Sequence, residues 1–155
     1  MAITTALAPS TRPIPSQPPV VLLVEDEIII LVVIAGYLRG CGYEVIEAQD
    51  SDEAVALFEA DVHVDVLFSD VRMPGEMDGL GLARWARLHR PEVSVLLTSG
   101  FVKDAMTADA LCGDGSMLAK PYDAQEMEGR IRHMLTARDL DAGLRKACDI
   151  GPLVF

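Results

Sequence analysis

From Val20 onward the chain alternates short, β-branched apolar runs with longer mixed stretches of helical length. The runs are Val20-Val21-Leu22-Leu23-Val24, Tyr43 to Ile46, Val64-Asp65-Val66-Leu67-Phe68, Val93-Ser94-Val95-Leu96-Leu97 and Met117-Leu118-Ala119. Five strands are predicted. The near-continuous apolarity of the first, third and fourth is what a parallel sheet covered on both faces requires. The order of the elements predicts an alternating α/β sandwich.

Helix boundaries carry local signals. Asp50 with Glu53, and Asp123 with Glu126, each place a side-chain acceptor three residues before a glutamate, the spacing of a capping box, and so mark the starts of helices two and five. Helix one is expected to begin near Asp26 or Glu27 and to stop at Gly40, where Gly40-Cys41-Gly42 reverses the chain. Between Lys103 and Ser116, Gly113 and Gly115 flank Asp114, which predicts a helix four that is short or mobile. Ile28 to Ile34 is apolar at seven successive positions, and one helix cannot turn all of them to a sheet. Either the chain's own terminal segments cover the excess, or it is a docking face for a partner protein or a second copy in a homodimer.

The ends read differently from the middle. Residues 1–19 are small or polar and then proline-rich, with Pro9, Pro13, Pro15, Pro18 and Pro19, a composition that predicts a disordered lead-in. One domain is expected over 20–136, followed by a C-terminal extension over 137–155 with Leu140, Leu144, Ile150 and Leu153 as apolar points. That extension is too short for an output domain.

Charge narrows the function classes. Thirteen basic residues against 24 acidic leave a net of -11, a surface that repels phosphate backbones, so nucleic-acid binding is not expected. Cys41, Cys112 and Cys148 lack a paired spacing and are read as reduced packing residues in a cytoplasmic protein. The longest apolar run falls well short of the roughly 20 residues of a spanning helix, and no membrane association is expected.

The candidate chemistry lies at the C-terminal ends of the strands, where open parallel sheets bind ligands. Strand one runs into Glu25-Asp26-Glu27, strand three into Asp70, strand four into Thr98-Ser99 and strand five into Lys120-Pro121. Glu25, Asp26 and Asp70 supply the oxygen ligands that Mg²⁺ prefers, and with Lys120 and the ion their formal charges sum to zero. Asp70 then reads as a nucleophile toward phosphorus, Lys120 as a neutralising charge, and Thr98 as a hydroxyl donor to the transferred group. Taken singly, each has a plainer reading: a solvated acidic pair, a snorkelling lysine, a strand-end threonine bonding its own backbone. Their coincidence at one sheet edge favours the chemical reading.

These residues sit in Val21-Leu22-Leu23-Val24-Glu25-Asp26-Glu27, Ser69-Asp70-Val71-Arg72-Met73-Pro74-Gly75, Met77-Asp78-Gly79-Leu80, Leu97-Thr98-Ser99-Gly100 and Lys120-Pro121-Tyr122. In that order and spacing, from Val20 to about Leu135, the chain resembles the receiver domains of two-component response regulators. The resemblance implies a flavodoxin-like, doubly wound five-stranded parallel sheet of order 2-1-3-4-5 with five helices. It also implies phosphorylation of Asp70 by a histidine kinase or histidine phosphotransfer protein, Mg²⁺ held by Glu25, Asp26, Asp70 and the Arg72 backbone carbonyl, and a downstream protein target. Thr98 and Lys120 match the family's hydroxyl and lysine, and a cis Lys120-Pro121 bond is implied.

Two departures stand out. The family usually has Tyr or Phe three positions before its lysine, as a switch; here that position is Met117, and Phe101, soon after Thr98, resembles the aromatic of a sub-group lacking the usual one. The loop Met73-Pro74-Gly75-Glu76-Met77-Asp78-Gly79 is one residue longer than the commonest form, which predicts a local bulge. Two other functions compete: a phosphorylation-independent interaction module of the same fold, and a phosphatase of the Asp-nucleophile kind. The first is disfavoured by the intact acidic set, and the second by Arg72, where a second Asp would be needed.

Overall fold

The computed structural model describes residues 17–113 and 115–146, with side chains described through residue 139. Five parallel strands, β1 (Val20–Val24), β2 (Glu44–Ala48), β3 (Val66–Asp70), β4 (Ser94–Ser99) and β5 (Met117–Ala119), form one sheet of order β2-β1-β3-β4-β5. They alternate with α1 (Ile28–Gly40), α2 (Ser51–Glu59), α3 (Gly79–His89), α4 (Val102–Cys112) and α5 (Ala124–Lys146). Strands, helices and order are those the resemblance implied.

Alternate strand residues point to opposite faces, and both faces are dry. On one face, Val21, Leu23, Phe68, Leu96 and Leu118 pack against Leu31, Ala35 and Leu38 of α1 and against Met127 and Ile131 of α5. On the other, Leu22, Val24, Leu67, Val95 and Leu97 meet Phe58 of α2, Leu82 and Ala86 of α3, and Ala108 of α4. Each fully buried Leu or Phe contributes roughly 1.5–3 kcal/mol, which makes this two-sided burial the main source of stability.

The caps explain where the helices start. Asp50 accepts from the Glu53 N–H at 2.8 Å, while the Glu53 carboxylate reaches back to the Gln49 N–H, also at 2.8 Å. Asp123 accepts from the Glu126 N–H at 2.7 Å. Asp78 caps α3 in the same way, through the Gly81 N–H at 2.9 Å.

Some expectations need correction. α4 is not short: it runs for 11 residues, as long as α3, because Gly113 ends it at a positive φ of 91° and Gly115 lies beyond it. β3 is displaced two residues along the chain from its apolar run and ends on Asp70 itself. Asp65, inside the predicted strand, instead ties the sheet's lower edge, accepting from the Val20 N–H at 2.9 Å and pairing with Arg138 at 3.1 Å. α5 itself continues past residue 136 to Lys146. Cys41 is exposed just past the end of α1 and Cys112 is half-buried, so only the second fits a packing role; Cys148, residues 1–16 of the lead-in and residues 147–155 of the extension lie outside the described residues.

On α1 the excess apolar residues are exposed among the described residues: Ile29 is 80% accessible, Val33 65%, and Ile28 and Val32 are similarly open.

Candidate functional site

Four strand ends converge on one pocket. Glu25, one residue past β1, is buried, Asp26 beside it is exposed, and Asp70 closes β3 in a buried position. One carboxylate oxygen from each of Glu25, Asp26 and Asp70 lies within 4.8 Å of the others. Lys120, just past β5 and joined to Pro121 by a cis bond, donates from Nζ to Asp70 Oδ2 at 2.7 Å. The main-chain N–H of Arg72 donates to the other oxygen, Oδ1, at 3.2 Å. Thr98 faces Asp70 across the β3–β4 ladder as its register partner, and its Oγ1 is buried with no hydrogen-bond partner among the described residues.

The electrostatics follow from this crowding. Burial pushes the Glu25 carboxyl above its ordinary value; the Glu27 N–H, at 3.1 Å from Oε1, works against it, Asp70 adds to the rise and Lys120 offsets part of it. Tyr122, beyond the cis bond, is pushed up to about 12, by burial first and then by the charges of Glu25 and Asp70. Three carboxylates within reach of one point, beside one ammonium, suit a hard divalent cation bound through oxygen. The unpartnered Thr98 hydroxyl is a donor available to an added acceptor. On both counts the residues fit Mg²⁺ and a phosphoryl group.

The family model "Response regulator receiver domain" matches residues 21–132. The chain belongs to that family. This receiver domain is 35% identical over 116 residues to the "Probable transcriptional regulator ycf27" of Cyanophora paradoxa, covering 74% of the chain and 47% of that protein. It is 36% identical over 124 residues to the "Sensor kinase CckA" of Brucella abortus, covering 77% of the chain and 13% of the kinase. The chain thus spans less than half the length of either relative. Among solved structures, the receiver domain of the hybrid histidine kinase CckA superposes with a TM-score of 0.62 at 34% identity, covering 75% of this chain and 98% of that one. The signal receiver domain of an HD domain-containing protein from Pseudomonas fluorescens gives 0.72 at 27% identity, over 79% and 98%. No helix among the described residues is long and apolar enough to cross a membrane.

Not every residue singled out in the sequence reaches the receiver pocket. Glu25, Asp26, Asp70 and Lys120 are brought together, and Thr98 lies on the adjoining strand. Met117 is buried in the core with Val95, Leu97 and Ala108. Phe101 is 59% exposed at the start of α4, with the Arg72 guanidinium 4.6 Å from its ring centroid. The Arg72 side chain turns away from the carboxylate cluster toward Asp104. Asp104 was missed by sequence reasoning, which weighed Phe101 at the start of that helix and the glycines at its far end. The available signal was Arg72 itself, a charge beside the acidic loop that needs a partner.

Proposed function

We propose that this receiver domain is a phosphoacceptor switch: Asp70 accepts a phosphoryl group from the phosphohistidine of a histidine kinase or a histidine phosphotransfer protein, in a Mg²⁺-dependent reaction. The observation that carries the reading is Lys120 Nζ at 2.7 Å from Asp70, inside a cluster of three carboxylates with an unsatisfied buried hydroxyl on the next strand. A carboxylate oxygen of Asp70 forms the new bond to phosphorus; the P–N bond to the donor imidazole breaks, and its electron pair returns to the ring nitrogen. The product is an acyl phosphate. Attack of water on its phosphorus releases inorganic phosphate and restores the carboxylate.

Lys120 keeps its positive charge against the transferred oxygens, and Thr98 donates its hydroxyl to one of them. Glu25, Asp26, Asp70 and the Arg72 main-chain carbonyl would hold Mg²⁺, which would neutralise charge on the phosphoryl oxygens. The Thr98 contact exists only in the modified state, and a contact that distinguishes two states is what shifts a population between them. With Met117 at the position where the resemblance implies an aromatic switch, Phe101 and α4 carry the signal to a downstream protein. Relatives described as a sensor kinase and a transcriptional regulator support a place between a phosphoryl donor and an output.

Borohydride reduction locates the modification. It converts an aspartyl acyl phosphate to homoserine, so peptide mass spectrometry after Mg²⁺ and acetyl phosphate is expected to find homoserine at position 70. Homoserine elsewhere, or none, counts against Asp70 and favours the interaction-module reading.

A further inference from the structure

Arg72 is held at both of its ends. Its main-chain N–H donates to Asp70 Oδ1 at 3.2 Å, while its side chain reaches α4, with Nε 3.2 Å from Asp104 Oδ2 and Nη2 3.1 Å from Asp104 Oδ1. This two-pronged contact is the one a planar guanidinium makes best and a lysine cannot reproduce. Asp104 also accepts from Ser99 Oγ at 2.6 Å, and the Ser99 oxygen accepts from the Phe101 N–H at 3.1 Å.

Asp104 is only 5% exposed. A carboxylate withdrawn from water persists when it is paired and hydrogen-bonded. Every side-chain partner of Asp104 among the described residues comes from the ends of β3 and β4, the strands that carry Asp70 and Thr98. A group needed only to anchor α4 has no reason to grip Arg72, whose N–H is the one main-chain donor to the Asp70 carboxylate among the described residues. We propose that Asp104 is a positioning residue for the receiver site, acting from α4 through the Arg72 side chain to fix the Arg72 main chain against Asp70 and against Mg²⁺. Binding free energies are reciprocal, so whatever moves the first turn of α4 also changes the site, and the reverse. The metal and phosphoryl parts of this inference rest on the function proposed above.

The test compares Asp104→Asn, Arg72→Ala and the double variant. In metal-free protein, NMR-detected hydrogen exchange of the Arg72 amide reports its bond to Asp70; calorimetry then gives Mg²⁺ affinity, and intact mass gives phosphoryl uptake. Asp104→Asn is expected to speed Arg72 amide exchange and to weaken Mg²⁺ binding about tenfold, the usual loss when an outer partner of a metal site is removed. Arg72→Ala is expected to match it, and the double variant to be no worse than either single one, because both remove the same contact. Losses that multiply in the double variant, or an Asp104→Asn protein within about twofold of the parent in both amide exchange and Mg²⁺ affinity, overturn the proposal. Should Asp104→Asn fail to fold, Arg72→Lys keeps the charge and loses the fork; the same losses are expected, and unchanged amide exchange overturns the inference. A parent protein that binds Mg²⁺ yet takes up no phosphoryl group refutes the proposed function alone, since amide exchange and Mg²⁺ affinity still decide the role of Asp104.

Discussion

Gly79 stands where the chain leaving β3 meets the start of α3, and it has no room for a side chain. A Cβ there would lie 2.0 Å from the Asp70 carbonyl oxygen and 2.7 Å from the Val71 Cα. Both neighbours are backbone, so neither yields by changing rotamer. Gly79→Ala is therefore expected to cost about 1–3 kcal/mol, read as a lower urea midpoint, and an unchanged midpoint would contradict the close approach. Tyr43 and Tyr122 give a prediction in pH. Both phenols are raised from 10.0 to about 12, chiefly by burial, with Glu128 adding to it at Tyr43 and Glu25 and Asp70 at Tyr122. The folded protein keeps these protons after the unfolded chain has begun to lose them, so stability is full below pH 10.0 and falls as pH rises toward about 12. Tyrosinate absorbance of the folded protein is expected to rise late, and Tyr122→Phe to flatten the loss of stability over that window. At this scale the sequence was informative wherever a polar residue ends an apolar run, as with Glu25, Asp70 and Thr98. Asp104 was hidden because its role depends on which loop α4 lies against, which no local pattern records.

Among the elements, α1 carries the clearest expectation. It buries Leu31, Ala35 and Leu38 in the sheet and leaves Ile29 and Val33 open to solvent. Replacing both exposed residues with Lys is expected to leave stability within about 0.5 kcal/mol, because neither side chain is packed in the core. Under the reading of α1 as the donor's docking face, the same protein should accept phosphoryl from acetyl phosphate normally and from a phosphohistidine protein about tenfold or more slowly. Equal rates from both donors would remove α1 from that role. The strands and the starts of α2 and α5 were legible because β-branched runs and side-chain caps are local signals, as Val20–Val24 and Asp50 illustrate. The length of α4 was not, because Gly113 and Gly115 break helices in any context and only the fold puts them after its last turn.

For the molecule as a whole, the cluster of Glu25, Asp26 and Asp70 predicts a stability that responds to a bound cation. Ionised carboxylates within 4.8 Å of one another repel, and Lys120 offsets only part of that repulsion. A cation that binds the folded state alone stabilises it by mass action, by about 2.7 kcal/mol at a hundred times its Kd. Mg²⁺ is expected to raise the melting temperature, chelation to reverse the rise, and Asp70→Asn to reduce it. A melting temperature indifferent to Mg²⁺ would deny the cluster its role. The family was legible from the motifs that hold Glu25, Asp70, Thr98 and Lys120 in order and spacing, and the strand order followed only through that resemblance. The joining of the receiver pocket to α4 through Arg72 and Asp104 was not, since it arises only when the loop after β3 packs against the first turn of α4. The central claim, that Asp70 is a phosphoacceptor, is tested most directly by intact mass after incubation with Mg²⁺ and acetyl phosphate, beside Asp70→Asn and a chelated sample. A gain of one phosphoryl group, dependent on metal and absent in the variant, is the predicted result; no gain in the unaltered protein, or an equal gain in Asp70→Asn, would contradict it.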